Sequence, residues 1–207
     1  MPPESLESGI YWKLMHTFNF NLEANLPTYF SSLVLMGNAG LLFLIGRCWK
    51  REGKKYWKWM GLAVIFFILS IDEMIKIHDH FRSPMEKFLG TSGILYYAWI
   101  IPYGIVTVIL GVVYFKFFMA LPKRILSLFV LSAILFISGA IGLEAIGGMY
   151  DEQYGQDNIT YYILYTVEEL LEMFGSIIFL YSLIMYLNIE YPHLKIKFGK
   201  NELEANS

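Results

Sequence analysis

Two stretches of the chain carry the residues with the most capacity for chemistry. The first, Ser70 to His80, holds Asp72, Glu73, Lys76, His78, Asp79 and His80. The second, Tyr161 to Glu172, holds Glu168, Glu169 and Glu172, with Tyr161 and Tyr165 a turn or two away. Glu144 stands between them, next to Gly142, Gly147 and Gly148. Carboxylates with one or two imidazoles are the ligand set of Mn, Fe or Zn centres, and oxygen-only subsets suit Ca or Mg. Glu169 and Glu172, at i and i+3, have the spacing of the Glu-x-x-His di-iron bundle motif, with glutamate in place of histidine.

At about 100° per residue, Asp72, Glu73, Lys76, Asp79 and His80 share one helix face, while His78 points away. Glu168, Glu169 and Glu172 share another. This places Glu73, Glu144, Glu169 and Glu172 as central ligands of a divalent metal ion, with Asp72, Glu168 and His80 around them. Lys76 is expected to pair with Asp72 or Glu73.

The elements that must position these groups are apolar helices. The chain has 207 residues, 56% hydrophobic, 17% aromatic and 16% charged, with mean hydropathy +0.47. Soluble domains carry roughly 25% charged residues, so the expectation is an all-α, polytopic integral membrane bundle. Five transmembrane helices are expected, at about Thr28–Ile45, Tyr56–Phe81, Ile94–Leu121, Arg124–Tyr150 and Tyr161–Leu187. Residues 1–27 form an amino-terminal interfacial segment, with an amphipathic helix over Leu6–Phe20. Residues 28–187 form the bundle and 188–207 a cytoplasmic tail. No basic n-region precedes an apolar run at the start, so no cleavable signal is expected.

Basic residues segregate. Arg47, Lys50, Arg51, Lys54, Lys55 and Lys58 lie between the first two spans, Lys116, Lys123 and Arg124 near the next loop on that side, and Lys195, Lys197 and Lys200 in the tail. The loop from Asp151 to Asp157 is acidic. By the positive-inside rule the amino terminus is outside and the carboxyl terminus cytoplasmic, in a plasma (inner) membrane. Counted inward from the outer helix ends, Asp72, Glu73, Glu144, Glu168, Glu169 and Glu172 all lie at roughly 9–16 Å. Unpaired charge in hydrocarbon costs about 2.5–3.5 kcal/mol per residue on insertion scales. The acids must therefore be protonated, hydrated or neutralised.

Small residues mark helix contacts: Ser138 with Gly142, then Gly139, Gly147 and Gly148 on the fourth span, and Gly37, Ala39 and Gly40 on the first. Pro27, shortly after Asn25, fits a first helical turn, and Pro102 is expected to bend the third span. Tyr96, Tyr97 and Trp99 read as an interfacial aromatic belt. Asn158-Ile-Thr160 matches a glycosylation sequon. The single cysteine, Cys48, excludes an internal disulfide framework. No phosphate loop, nucleophile elbow or dinucleotide fingerprint appears, and no basic tract calls for nucleic acid.

Three functional readings stay open. One is a metal or cation site, which in a catalytic form would serve a membrane-embedded hydrolase or oxidase acting on a lipid or quinone. Another is proton or cation translocation, although the inner half offers only Asn38, Ser132 and Ser176. The last is an accessory subunit, in a homo-oligomer or larger membrane complex, whose acids serve structure alone.

Overall fold

A computed structural model of the protein describes residues 9, 17, 25–78, 80, 85 and 88–192. Apart from residues 9 and 17, the interfacial helix expected over 6–20 lies outside the described residues, as do Asp79, Arg82, His193 and the tail lysines. The described part is helical: α1 (Leu26–Arg51), α2 (Trp57–Ile75), α3 (Ile100–Met119), α4 (Lys123–Ile137), α5 (Glu144–Tyr154) and α6 (Ile159–Glu190). A π-helical segment, Ser138–Leu143, joins α4 to α5, so that 123–154 runs as one long rod. Four helices are long and apolar enough to cross a membrane: α1, α3, the 123–154 rod and α6. The second expected span is shorter than the sequence pattern implies. It stops at Ile75 after 19 residues and carries Lys58, Asp72 and Glu73.

Local chemistry explains the boundaries. Asn25 caps α1, its Oδ1 accepting the Thr28 N–H at 2.9 Å, and Pro27 occupies the first turn, where its missing N–H costs nothing. Asn158 caps α6 in the same way, accepting from the Tyr161 N–H at 3.0 Å. Its Nδ2 donates to the Gly155 carbonyl at 2.7 Å, so the sequon's amide is engaged in ending one helix and starting the next. Pro102 is the third residue of α3, and it opens that helix rather than bending it.

Two polar rungs pin the helices. Ser32 and Ser70 each donate through Oγ to the other's carbonyl at 2.8 Å, tying α1 to α2. Asn38 donates through Nδ2 to the Ser176 carbonyl at 3.0 Å, tying α1 to α6. Between α4 and α6 the backbones approach through glycine. A Cβ at Gly175 would sit 2.8 Å from the Phe136 amide nitrogen and 2.9 Å from the Ser132 carbonyl. A Cβ at Gly139 would sit 2.8 Å from the Glu168 carbonyl. Gly139 thus serves the close approach expected of it, whereas Ser138 and Gly142 are exposed and Gly40 meets nothing within 4 Å. Because its obstacles are mostly backbone, Gly175→Ala is expected to lower stability by about 1–3 kcal/mol, read as a fall in the unfolding midpoint in detergent.

The core fills the half of the bundle away from the acids. Leu42, Ile45, Trp59, Ile125 and Leu183 are wholly buried, and the Trp59 ring lies 4.9 Å from Phe117 and 5.0 Å from Tyr186. The outside is apolar: Leu33, Val112, Ile163 and Phe174 are all exposed. Helix α3 is the least enclosed, burying Ile100 and Tyr114 alone along its length. The Tyr114 hydroxyl rests against Gly61 of α2, and Lys58 donates to the Val113 carbonyl at 3.0 Å.

Candidate functional site

Away from that core the helices part around a cavity of about 740 Å³. Asp72 and Glu73 reach it from α2, Glu144 from the start of α5, and Glu168, Glu169 and Glu172 from α6. All six acids read from the sequence line this one space. The two rungs explain why. Counting at 1.5 Å per residue from Ser32–Ser70 and Asn38–Ser176, and onward from Gly139 where it packs on Glu172, puts the six in a slab roughly 10 Å deep. Asp72 and Glu73 are in the last turn of α2, yet they share the level because that helix ends within the bundle.

Local breaks do the aiming. Lys76 adopts a left-handed conformation, φ 46° and ψ 56°, unusual for a residue with a Cβ, and its N–H donates to the Asp72 carbonyl at 2.6 Å. The turn cancels the 100° count beyond Ile75 and exchanges the two histidines. His78, expected to point away, lines the cavity. There Asp72 holds it twice, accepting the His78 backbone N–H through Oδ1 at 3.0 Å and meeting Nδ1 through Oδ2 at 3.0 Å. His80, expected as the imidazole ligand, is exposed, with Nδ1 2.9 Å from the Lys76 carbonyl. The expected Lys76 ion pair is also absent among the described residues: Lys76 lines the cavity, but the cationic partner of Asp72 within 4 Å is His78. A left-handed residue turns its side chain away from the i−4 register on which that pairing relied.

The π-helical turn performs the same service for Glu144. It inserts one residue's worth of rotation before α5 and follows the Gly139 contact, so Glu144 faces α6, where Glu168 is its neighbour. Such single π turns recur at functional positions.

Tyr97 and Trp99, expected as a lipid-interface belt, are instead buried wall residues, 3% and 5% exposed. Tyr97 packs on Gly148, donates to Asp151 at 2.7 Å and lies 3.1 Å from the Tyr161 hydroxyl. Together with the Gly93 N–H bond to Glu152 at 2.6 Å, this ties segment 93–99 to the end of α5. The Trp99 ring covers His78 at 4.6 Å and meets Tyr103 at 5.0 Å. His78, Trp99 and Tyr103 are the wall residues that periodicity missed. An αL break inside Met-Ile-Lys-Ile-His leaves no mark on a hydrophobic pattern.

Of the six acids, Asp72 is fully engaged, and Glu144 and Glu168 meet each other. Glu73, Glu169 and Glu172 line the cavity without a hydrogen bond or ion pair to any described residue. Among the described residues, no three His, Cys, Asp or Glu side chains come together closely enough to hold a metal ion. The carboxylates surround a space instead of converging on a point. The engaged acid makes its own prediction: Asp72→Ala leaves a half-buried N–H and imidazole without their acceptor. Stability should fall by about 1–3 kcal/mol, measured by thermal unfolding, with Asp72→Asn falling less because it keeps an acceptor.

Comparison with curated proteins and with solved structures finds no match. From residue 9 to residue 187 the sequence matches the family described as a domain of unknown function (DUF8692), and the chain belongs to that family.

Proposed function

We propose that the protein is a five-span membrane protein whose cavity binds a cation through its carboxylates. In this reading α2 is the fifth span, the amino terminus is outside and the carboxyl terminus is in the cytoplasm of an inner membrane. Lys50, Arg51, Lys54 and Lys55 at one end of the bundle support that orientation, as do Asp151, Glu152 and Asp157 at the other. The cavity then lies in the outer half of the bilayer. The observation that carries the function is the imbalance in the lining: six carboxylates against one lysine and one histidine. Charge of one sign in a low-dielectric setting is costly, and a cation from outside relieves it.

Passage through the protein is less well supported. The inner half is closed by Trp59, Phe117, Tyr186 and the aliphatic core around them, which suits binding from one side. A chelated divalent metal is disfavoured by the spread of the acids.

Calorimetric titration of the purified protein in neutral-lipid nanodiscs with Na⁺, Ca²⁺, Mn²⁺ and methylammonium tests the reading. At least one of these should bind saturably, and Glu172→Gln should weaken it by about tenfold, equivalent to about 1.4 kcal/mol. Flat titrations across the panel would refute it.

A further inference from the structure

We infer that the ligand is an amphiphilic organic cation: an ammonium group carried on an aliphatic body. This rests on the cation reading and narrows it by size, by the apolar part of the lining and by the state of the acids.

A space of about 740 Å³ is far larger than one ion needs. It falls within the roughly 300–1,000 Å³ of small-molecule sites, and filled with water it would take about 25 molecules at about 30 Å³ each. Water is a poor occupant of the apolar part of the lining: Ile68 and Leu69 of α2, one turn from Asp72 and Glu73, and Val106 and Leu110 of α3. The lining is thus of two kinds. Carboxylates share it with hydrocarbon, the complement of a molecule with a charged head and an apolar tail.

The carboxylates are also unspent. Glu172 is part-buried, lines the cavity, and has no hydrogen bond or ion pair with any described residue. Glu73 and Glu169 share that condition. Acids serving structure alone would be satisfied by their neighbours, as Asp72 is by His78. An ammonium head offers a diffuse charge to three carboxylates too widely spaced to chelate, and the aromatic walls Trp99 and Tyr103 add cation–π attraction.

The test uses the full chain in phosphatidylcholine nanodiscs, with empty discs subtracted. Three probes separate the parts: hexylammonium has head and tail, methylammonium the head, and hexanol the tail. Hexylammonium should bind at one per protein and about tenfold or more tighter than either fragment. Glu172→Gln should weaken hexylammonium without changing hexanol. Val106→Trp, which fills the apolar side, should weaken hexylammonium while leaving methylammonium as it was. Preloading the discs with hexadecylammonium identifies the source: displacement of hexylammonium indicates a membrane-borne amine, and none a soluble one. Equal binding of hexanol and hexylammonium would overturn the inference. So would binding of Ca²⁺, Mn²⁺ or Na⁺ that hexylammonium does not displace, an outcome that leaves the broader cation reading standing. If no probe and no inorganic ion binds, both fall.

Discussion

Replacing Glu169 and Glu172 together with glutamine is expected to raise the stability of the unliganded protein while removing its cation binding. Both side chains line the cavity, and neither has a hydrogen bond or ion pair to a described residue. Glutamine keeps their shape and ends the cost of withdrawing two carboxyl groups, one turn apart, from water. A gain of about 1–2 kcal/mol is expected for the pair, as a higher unfolding midpoint at neutral pH. Affinity should fall by about 100-fold, equivalent to about 2.7 kcal/mol. This trade is the signature of a binding site maintained against stability. If the acids only fixed helix register, the same substitutions would lower the midpoint, as Asp72→Ala is expected to do. The opposite signs at Asp72 and Glu172 separate a satisfied acid from a waiting one within a single protein.

The second large effect belongs to Gly139. A Cβ there meets the Glu168 carbonyl at 2.8 Å, Glu172 Cγ at 2.9 Å and the Glu172 amide nitrogen at 3.3 Å. Two of those three atoms are backbone and cannot turn aside. Gly139→Val must therefore push the π-helical segment off α6, costing about 3 kcal/mol, the upper end of the usual range for overpacking. Binding should fall with it, because the displaced contact is the one that sets Glu144 against Glu168. Gly142→Val, three residues on at an exposed position with open space, should stay within about 0.5 kcal/mol of the parent. Thermal unfolding of the two variants side by side separates a packing requirement from a general intolerance of valine in this segment.

Those two glycines also show what could and could not be read before the fold was in hand. Small residues flag close approach, and Gly139 was legible on that ground, but only the rotation imposed by the π turn decides that Gly139 faces α6 and Gly142 does not. Gly175, the reciprocal contact, sits in an unremarkable Phe-Gly-Ser sequence and was missed. The acids were legible because apolar helices leave few places for charge, so their depth could be counted from residue order alone. Their immediate partners were not. Helical periodicity carries angle faithfully through a continuous helix, and α2 is not continuous past Ile75. One left-handed residue, Lys76, moved His78 into the wall, took His80 out of it and left the lysine without an ion pair to Asp72 or Glu73 within 4 Å. Tyr97 and Trp99 were assigned to an aromatic belt for a related reason. Composition places them near a helix end, but only the bonds from Tyr97 to Asp151 and Tyr161 fold that segment inward.

The central claim is that unpaired carboxylates from separate helices confront one another across this cavity. A double-mutant cycle between Glu73 on α2 and Glu169 on α6 tests it most directly, since Glu73 is among the charged surroundings of Glu169. Glu73→Gln and Glu169→Gln should each raise the unfolding free energy, and the double variant should gain less than the sum by about 0.5 kcal/mol or more, because the first substitution already removes their mutual repulsion. Strict additivity, or a loss of stability in either single variant, would contradict the account.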